Sequence, residues 1–162
     1  MKKFGLIGFA LSHSFSKNFF TEKFLKLNIT DCEYNLYPLQ DISELASLLK
    51  SEPELTGLNV TIPYKENIIP YLTQLDETAE RAGAVNCIRI VRSSKFEVRS
   101  SDSVRLVGYN TDVYGFRESL RPFLKSNHQR ALILGTGGGA KAVGYVLEEI
   151  GLECFYVSRD AA

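Results

Sequence analysis

Short apolar runs alternate with amphipathic helical patterns along almost all of the 162 residues. Runs with the length and composition of β-strands are separated by segments whose apolar residues recur every three or four positions. Such alternation is typical of an α/β fold, in which helices connect the strands of a mainly parallel sheet. The predicted strands cover residues 4–9, 32–38, 55–62, 84–91, 105–109, 131–134 and 154–157. The predicted helices cover residues 16–27, 41–51, 65–72, 76–82, 113–124 and 139–150.

The composition excludes several classes of protein. Hydrophobic residues make up 44% of the chain, which is enough for a core and excludes a disordered, collagen-like or disulfide-dense chain. The 19 basic and 19 acidic residues cancel, so charge gives no reason to expect nucleic acid or an anionic membrane as the main partner. The longest stretch without a charged residue, 4–16, is shorter than the roughly 20 residues that a membrane-spanning helix needs.

The cysteines indicate the cellular compartment. Cys32, Cys87 and Cys154 are far apart, form no CxxC pair and have no histidine at ligand spacing. This pattern predicts buried thiols in the reducing cytoplasm, with neither a disulfide frame nor a metal site. The apolar stretch 4–11, which follows two lysines, is also compatible with a short signal peptide, the alternative to a first buried strand.

Two polar segments interrupt the alternation of strands and helices. Residues 92–104 are rich in serine, which predicts a hairpin arm at a sheet edge. Residues 125–129, Lys-Ser-Asn-His-Gln, separate a helix from a strand. We therefore predict a domain over residues 1–125 and the start of a second, incomplete domain over residues 126–162.

The most specific motif is an apolar strand, a G-x-G-x-x-[GA] turn and a helix over residues 131–140. Gly135 permits the tight turn, Gly137 lets a pyrophosphate approach the backbone, and the small Ala140 lets the helix pack on the strand. The helix N-terminus offers free N–H groups and a positive dipole end to phosphates. The motif predicts a dinucleotide site, against the alternative of a simple tight turn. The residues assigned to it are Gly135, Thr136, Gly137, Gly138, Gly139 and Ala140.

The end of the next strand favours one dinucleotide. An NAD site usually has an acidic residue about 20 positions beyond the motif, where it binds the ribose 2′-hydroxyl. Here the strand is followed by Ser158 and Arg159, and a guanidinium suits a 2′-phosphate. We therefore predict NADP, although Asp160 would repel a phosphate and a solvated loop is the alternative interpretation of Arg159.

Four short polar motifs lie at predicted strand ends within residues 1–125, where open α/β sheets bind ligands. The first places Ser14 and Ser16 two positions apart, so both hydroxyls can donate to one carboxylate. The alternative is that Ser16 only caps the following helix. In the second motif, Asn59 and Thr61 alternate along a strand and share one face.

Three charged or amide side chains complete these motifs. Lys65 falls in the first turn of a predicted helix, where the dipole disfavours a cation, although a solvated lysine is the common case. Asn86 ends the motif Gly-Ala-Val-Asn, and Asp112 ends Gly-Tyr-Asn-Thr-Asp. Asp112 is equally well placed to be the N-cap of the helix over 113–124.

Taken together and in this order, the motifs resemble those of the shikimate dehydrogenases. Ser-x-Ser, Asn-Val-Thr-x-Pro-x-Lys, Gly-Ala-Val-Asn, Gly-x-Asn-Thr-Asp and the glycine-rich turn extend over residues 4–159. The resemblance implies an N-terminal substrate-binding α/β domain followed by the first β-α-β unit of a Rossmann-type NADP domain. It also implies an oxidoreductase that reduces 3-dehydroshikimate to shikimate with NADPH, in the chorismate route to aromatic amino acids.

The resemblance further implies a role for each matched residue. Ser14 and Ser16 would bind the substrate carboxylate. Lys65 and Asp112 would be the catalytic pair beside the carbon that exchanges hydride. An ammonium there donates a proton to the developing alkoxide or stabilises its charge, and both possibilities stay open. The side chains implied to bind the ring hydroxyls are Asn59, Thr61 and Asn86.

The chain departs from the family pattern in two places. Lys17 stands where the family usually has proline, and the sequence ends after one β-α-β unit, without the second mononucleotide half. We therefore expect the chain by itself to bind substrate weakly and to turn over little. The alternatives are a non-catalytic shikimate-binding module and a quinate/shikimate dehydrogenase that uses NAD. A homodimer is a further prediction.

Overall fold

A computed structural model describes residues 1–92 and 104–158. The strands in these residues are β1 Lys2–Gly8, β2 Cys32–Pro38, β3 Leu55–Val60, β4 Gln74–Leu75, β5 Cys87–Arg92, β6 Val104–Tyr109, β7 Arg130–Leu134 and β8 Glu153–Val157. The helices are α1 Ser16–Lys26, α2 Leu45–Ser51, α3 Tyr64–Asn67, α4 Glu77–Ala82, α5 Thr111–Leu120 and α6 Gly138–Glu149. The interior of the predicted hairpin arm, residues 93–103, lies outside the described residues, as does Arg159.

The strands form two sheets. The larger has the order β2–β1–β3–β5–β6–β4, and the smaller pairs β7 with β8. In the larger sheet β1 is parallel to β2 and β3, and β4 is parallel to β6, whereas β5 is antiparallel to both of its neighbours. In the smaller sheet β7 and β8 are parallel and are connected through α6, which makes the predicted β-α-β unit. The prediction of an α/β fold with a mainly parallel sheet is confirmed.

This topology collects several loops at one edge of the larger sheet. Because β1, β3 and β6 run in the same direction, the segments that follow them emerge at the same edge. The segment that precedes the antiparallel β5 begins at that edge as well. The four polar motifs of the sequence therefore lie along a single edge.

The core lies on both faces of the larger sheet. Successive residues of β1 point to opposite faces, so Ile7 packs in the main cluster and Leu6 in a smaller one under α1. The smaller cluster includes the stacked rings of Phe20 and Tyr34, whose centroids are 4.4 Å apart. Each fully buried aliphatic side chain contributes about 1.5–3 kcal/mol. The largest side chains buried in the main cluster are Ile7, Leu45, Leu55, Ile68, Ile88 and Val85.

Several element ends differ from the predictions, and proline accounts for two of them. The helix predicted over 65–72 ends at Asn67 and continues as a 3₁₀ turn at Ile69–Tyr71, because Pro70 has no N–H for an α-helical bond. The helix predicted over 113–124 begins at Thr111 and ends at Leu120 before a 3₁₀ turn that contains Pro122.

Small apolar side chains join the two sheets. Ala82 of α4 and Val113 of α5 pack against Ala142 and Val146 of α6. Across the same junction Lys141 of α6 pairs with Glu66 of α3. No helix within the described residues is both long and apolar enough to cross a membrane.

Candidate active site

An ion pair lies at the edge of the larger sheet where the polar motifs meet. Lys65, the second residue of α3, donates from Nζ to Oδ2 of Asp112 in the first turn of α5, at 2.6 Å. The lysine side chain is 20% exposed and the aspartate side chain 37%, so both charges are partly shielded but open to a ligand. A short charge-assisted hydrogen bond of this kind fixes the direction of the lysine side chain.

Asn86 holds the carboxylate of this pair. Its Nδ2 donates to Asp112 Oδ1 at 2.8 Å and to Thr111 Oγ1 at 2.8 Å. Its Oδ1 accepts from the Thr111 N–H at 2.8 Å and from the Thr111 hydroxyl at 3.2 Å. Since an amide has two donor hydrogens and two acceptor lone pairs, these four bonds use the whole capacity of the buried Asn86 side chain.

The N-cap of α5 is Asn110. Its Oδ1 accepts from the N–H groups of Asp112 at 3.0 Å and Val113 at 3.3 Å, and its Nδ2 donates to the Ala84 carbonyl at 2.9 Å. The interpretation of Asp112 as the N-cap is therefore wrong. Because the cap lies two residues earlier, the Asp112 side chain is free to face Lys65.

The two serines border a cavity next to the ion pair. Ser14 Oγ accepts the N–H of Ser16 at 3.3 Å, and α1 begins at Ser16 with Phe15 in the N-cap position. The interpretation of Ser16 as a helix cap is therefore wrong. Both serines line a cavity of about 410 Å³ together with Thr61. Thr61 also lines a second cavity of about 490 Å³, which Lys65 shares, so the two cavities adjoin.

Asn59 lines neither of these cavities but a separate one of about 410 Å³, together with Tyr34, a residue that the sequence analysis missed. The Tyr34 hydroxyl donates to Asn59 Oδ1 at 2.8 Å, and Asn59 Nδ2 donates to the Asn86 carbonyl at 3.4 Å. Burial raises the pKa of Tyr34 to about 12. No motif marks Tyr34, because only the sheet order brings β2 to this side of β3.

The glycine-rich turn forms the far wall of the larger cavity. Gly135 has φ of 117°, which only glycine adopts without strain, and Gly137 is the N-cap of α6 without a capping side chain. A Cβ added to Gly137 or Gly139 would meet no atom within 4 Å, so the backbone is open to a ligand there. These features fit a pyrophosphate. Thr136, within the turn, and Ser158, after β8, are exposed and do not line the cavity. The turn residues that line it are Gly135, Gly137, Gly138, Gly139 and Ala140.

The three cysteines take no part in this arrangement. All three are free thiols, but each is only partly buried, where buried thiols were predicted. Burial raises the pKa of the Cys87 thiol, which keeps it neutral. In the part of the chain that the structure describes, no three His, Cys, Asp or Glu side chains are grouped to hold a metal ion.

Comparison with known proteins gives a consistent result. Residues 6–88, just over half of the chain, match the family described as the shikimate dehydrogenase substrate binding domain. A protein of Staphylococcus aureus (strain MSSA476) named shikimate dehydrogenase (NADP(+)) is 38% identical over 149 residues, which cover 90% of this chain and 50% of the relative. The chain thus spans about half the length of the curated relatives it matches.

Solved structures extend the comparison to the fold. Shikimate dehydrogenase 1 of Peptoclostridium difficile has a TM-score of 0.82 at 34% identity, with 99% of this chain and 58% of that chain covered. Shikimate 5-dehydrogenase of Thermus thermophilus, solved in complex with NADP(H) and shikimate, has a TM-score of 0.76 at 30% identity. The match covers 98% of this chain and 56% of that one.

Proposed function

The chain belongs to the family of the shikimate dehydrogenase substrate binding domain, and on that premise we propose that it serves the NADPH-dependent reduction of 3-dehydroshikimate to shikimate. The observation that carries the proposal is the Lys65–Asp112 pair, at 2.6 Å, beside two adjoining cavities. One cavity has two serine hydroxyls on its wall, and the other has the glycine-rich turn. This arrangement suits a small hydroxylated acid on one side of the pair and a dinucleotide on the other.

The substrate would lie in the cavity lined by the serines. Ser14 and Ser16 carry the hydroxyls that would bind the carboxylate, and Thr61, shared by both cavities, would bind a ring hydroxyl near the reacting carbon. Asn59 would bind a second hydroxyl from the end of β3. Asn86 would act chiefly through Asp112, because its amide already makes four hydrogen bonds, to Thr111 and Asp112.

Lys65 would meet the proton requirement of the reaction. The nicotinamide, when bound, supplies the hydride that reduces the ketone carbon. The carbonyl oxygen then gains negative charge, and the Lys65 ammonium stabilises that charge and donates the proton that completes the alcohol. Asp112 directs the ammonium, and it accepts a hydrogen bond from the Asn86 amide on its other oxygen.

The glycine-rich turn would hold the dinucleotide. The N–H groups at the start of the twelve-residue α6 are free of side-chain caps and suit the pyrophosphate. Ser158 and Arg159 would face the 2′-phosphate, which is the reason for proposing NADP over NAD. The division into domains over 1–125 and 126–162 is supported by the two separate sheets. The cytoplasmic location and the homodimer stay predictions.

The proposal is tested by titrating this chain with shikimate and by measuring NADPH oxidation with 3-dehydroshikimate. We expect shikimate to bind and Lys65→Ala to lower turnover at least a hundredfold, since a positioned proton donor contributes about 10²–10⁴-fold. Asp112→Asn should lower turnover in the same direction. Lys26→Ala, a change at an exposed lysine that pairs with Glu22, is the matched control and should leave both measurements unchanged.

Two results would contradict the proposal. The first is that shikimate does not bind to the unmodified chain at millimolar concentration. The second is that Lys65→Ala binds and turns over its substrate as the unmodified chain does. Arg159→Ala tests the cofactor separately: a loss of preference for NADPH over NADH supports NADP, and an unchanged preference contradicts the role of Arg159.

A further inference from the structure

The Tyr34 hydroxyl contacts one residue of the candidate substrate site from inside the protein. Tyr34 lies on β2 and is 4% exposed, and its ring stacks on Phe20 at an interplanar angle of 14°. The hydroxyl reaches past β1 to Asn59 on β3, at 2.8 Å. The stacked ring and this hydrogen bond fix the position of the oxygen.

The neighbours of Asn59 determine which end of its amide faces which way. The main-chain carbonyl oxygen of Asn86 lies 3.4 Å from Asn59 Nδ2. Because a carbonyl can only accept a hydrogen bond, the Asn59 NH₂ group must face it. The amide oxygen consequently faces Tyr34, whose hydroxyl donates to it. A flipped amide would place its oxygen against the main-chain carbonyl of Asn86, so that contact would be lost, and the Tyr34 hydroxyl would have to accept a hydrogen bond where it now donates one.

We propose that Tyr34 is a positioning residue that orients the Asn59 amide, so that its N–H edge and not its oxygen is offered to the substrate. This inference rests on the proposed function, because it assigns Asn59 the role of donor to a ring oxygen of the bound acid. Ser16 differs from Asn59 in this respect. Its hydroxyl hydrogen can turn towards a carboxylate by rotation about the Cβ–O bond, whereas an amide must turn as a whole.

The chain offers a matched pair of variants. Tyr34→Phe removes only the hydroxyl and keeps the ring that stacks on Phe20. Tyr37→Phe, three residues along the same strand, removes a buried hydroxyl that has no hydrogen-bond partner within the described residues. We expect Tyr34→Phe to raise the dissociation constant for shikimate about tenfold, because a misoriented Asn59 amide loses one hydrogen bond to the substrate. Tyr37→Phe should leave the dissociation constant unchanged.

A double-mutant cycle separates positioning from general loss of structure. If Tyr34 acts through Asn59, Tyr34→Phe should have no further effect on affinity once Asn59→Ala is present. If Tyr34→Phe lowers the affinity for shikimate by the same factor with and without Asn59→Ala, the inference is overturned. An affinity of Tyr34→Phe equal to that of the unmodified chain would overturn it as well.

A measurement without substrate distinguishes failure of this inference from failure of the proposed function. We expect Tyr34→Phe to shift the side-chain amide signals of Asn59 in a ¹⁵N NMR spectrum and to speed their hydrogen exchange. Tyr37→Phe should leave both unchanged. If the unmodified chain does not bind shikimate but these shifts are observed, the proposed substrate is wrong and the orienting role of Tyr34 stands. If the Asn59 signals do not respond to Tyr34→Phe, the inference is overturned whatever the chain binds.

Discussion

Two buried asparagines position Asp112, one through its main chain and the other through its carboxylate. Asn110 receives the N–H groups that start α5, and Asn86 donates to the carboxylate itself. Removing either amide would leave buried donors or acceptors without partners, at a cost of about 1–3 kcal/mol. Both amides are hydrogen-bonded through their oxygen and their nitrogen, which fixes the geometry of the Lys65–Asp112 pair before any ligand arrives.

Tyr34 makes the stability of the chain sensitive to alkaline pH. Its pKa is about 12 in the folded state and about 10 in an unfolded chain, so between these values only the folded state keeps the proton. The stabilisation is complete below pH 10 and is lost as the pH rises towards 12. Between pH 9 and 11 we expect the unmodified chain to lose about 1 kcal/mol more unfolding free energy than Tyr34→Phe.

Urea denaturation at the two pH values measures this difference. Tyr114→Phe is the control, because that side chain is 69% exposed, and it should lose as much stability as the unmodified chain. Equal losses in Tyr34→Phe and the unmodified chain would show that this phenol is not the responsible group.

Individual residues could be predicted from the sequence where a motif marks them. The resemblance implied that Lys65 and Asp112 form a pair, and they do so in the structure, while their catalytic roles stay predictions. The choice between Asn110 and Asp112 as helix cap could not be made from the sequence, because both residue types cap helices well. Tyr34 could not be found either, since a tyrosine in a strand is ordinary and its importance arises from the order β2–β1–β3.

At the scale of elements, types and order were predictable, but several ends were not. The strand predicted over 84–91 begins at Cys87, because Asn86 directs its side chain to α5. The two-residue strand Gln74–Leu75 was missed, since its pairing with β6 depends on a contact distant in sequence. By contrast, the helix predicted from Asp41 has the expected capping box. The Ser43 N–H donates to the Asp41 carboxylate at 2.8 Å, and the Asp41 N–H donates to the Glu44 carboxylate.

The start of α6 is packed so closely on α3 that two adjacent glycines should respond differently to substitution. A Cβ on Gly138 would lie 2.7 Å from Lys65 Cβ and 3.3 Å from Ala84 Cβ, and neither atom can move without its backbone. A Cβ on Gly139 would meet nothing within 4 Å. We expect Gly138→Ala to lower the unfolding free energy by about 1–2 kcal/mol through overpacking.

Gly139→Ala is the matched control for that change. It should leave the unfolding free energy unchanged or raise it by up to about 1 kcal/mol, because alanine favours helix more than glycine does. Urea denaturation of the two variants measures both values. An equal loss of unfolding free energy in both variants would show that the loss arises from placing alanine in the first turn of α6, and not from contact with Lys65.

At the scale of the whole molecule, the junction between the sheets places the glycine-rich turn beside Lys65. The ion pairs that cross this region, Lys141–Glu66 and Arg117–Glu149, are partly exposed, so each contributes no more than about 1 kcal/mol. The small side chains packed between α4, α5 and α6 allow close approach of the helices. The relative position of the two cavities therefore depends mainly on this apolar contact.

The smaller sheet presents an apolar face that nothing in the described structure covers. Ile133 faces α6 and is buried, but the residues on the opposite face are apolar and at least 46% exposed. The parallel register places Leu132 beside Phe155 and Leu134 beside Val157, so the four side chains form one continuous patch. Contiguous apolar surface of this kind favours association. We expect this chain to bind a hydrophobic dye and to self-associate as its concentration rises.

The double substitution Leu132→Thr with Leu134→Thr tests the cause, because threonine keeps the preference for a strand while removing apolar surface. Dye fluorescence and the concentration dependence of sedimentation should both fall in this variant. Leu25→Gln changes an equally exposed leucine on α1, at 73% exposure, outside the patch, and should leave both signals unchanged. If the unmodified chain binds no dye and sediments as a monomer at all concentrations, this face does not drive association. If the two variants behave alike, association depends on total apolar exposure and not on the continuity of the β7–β8 face.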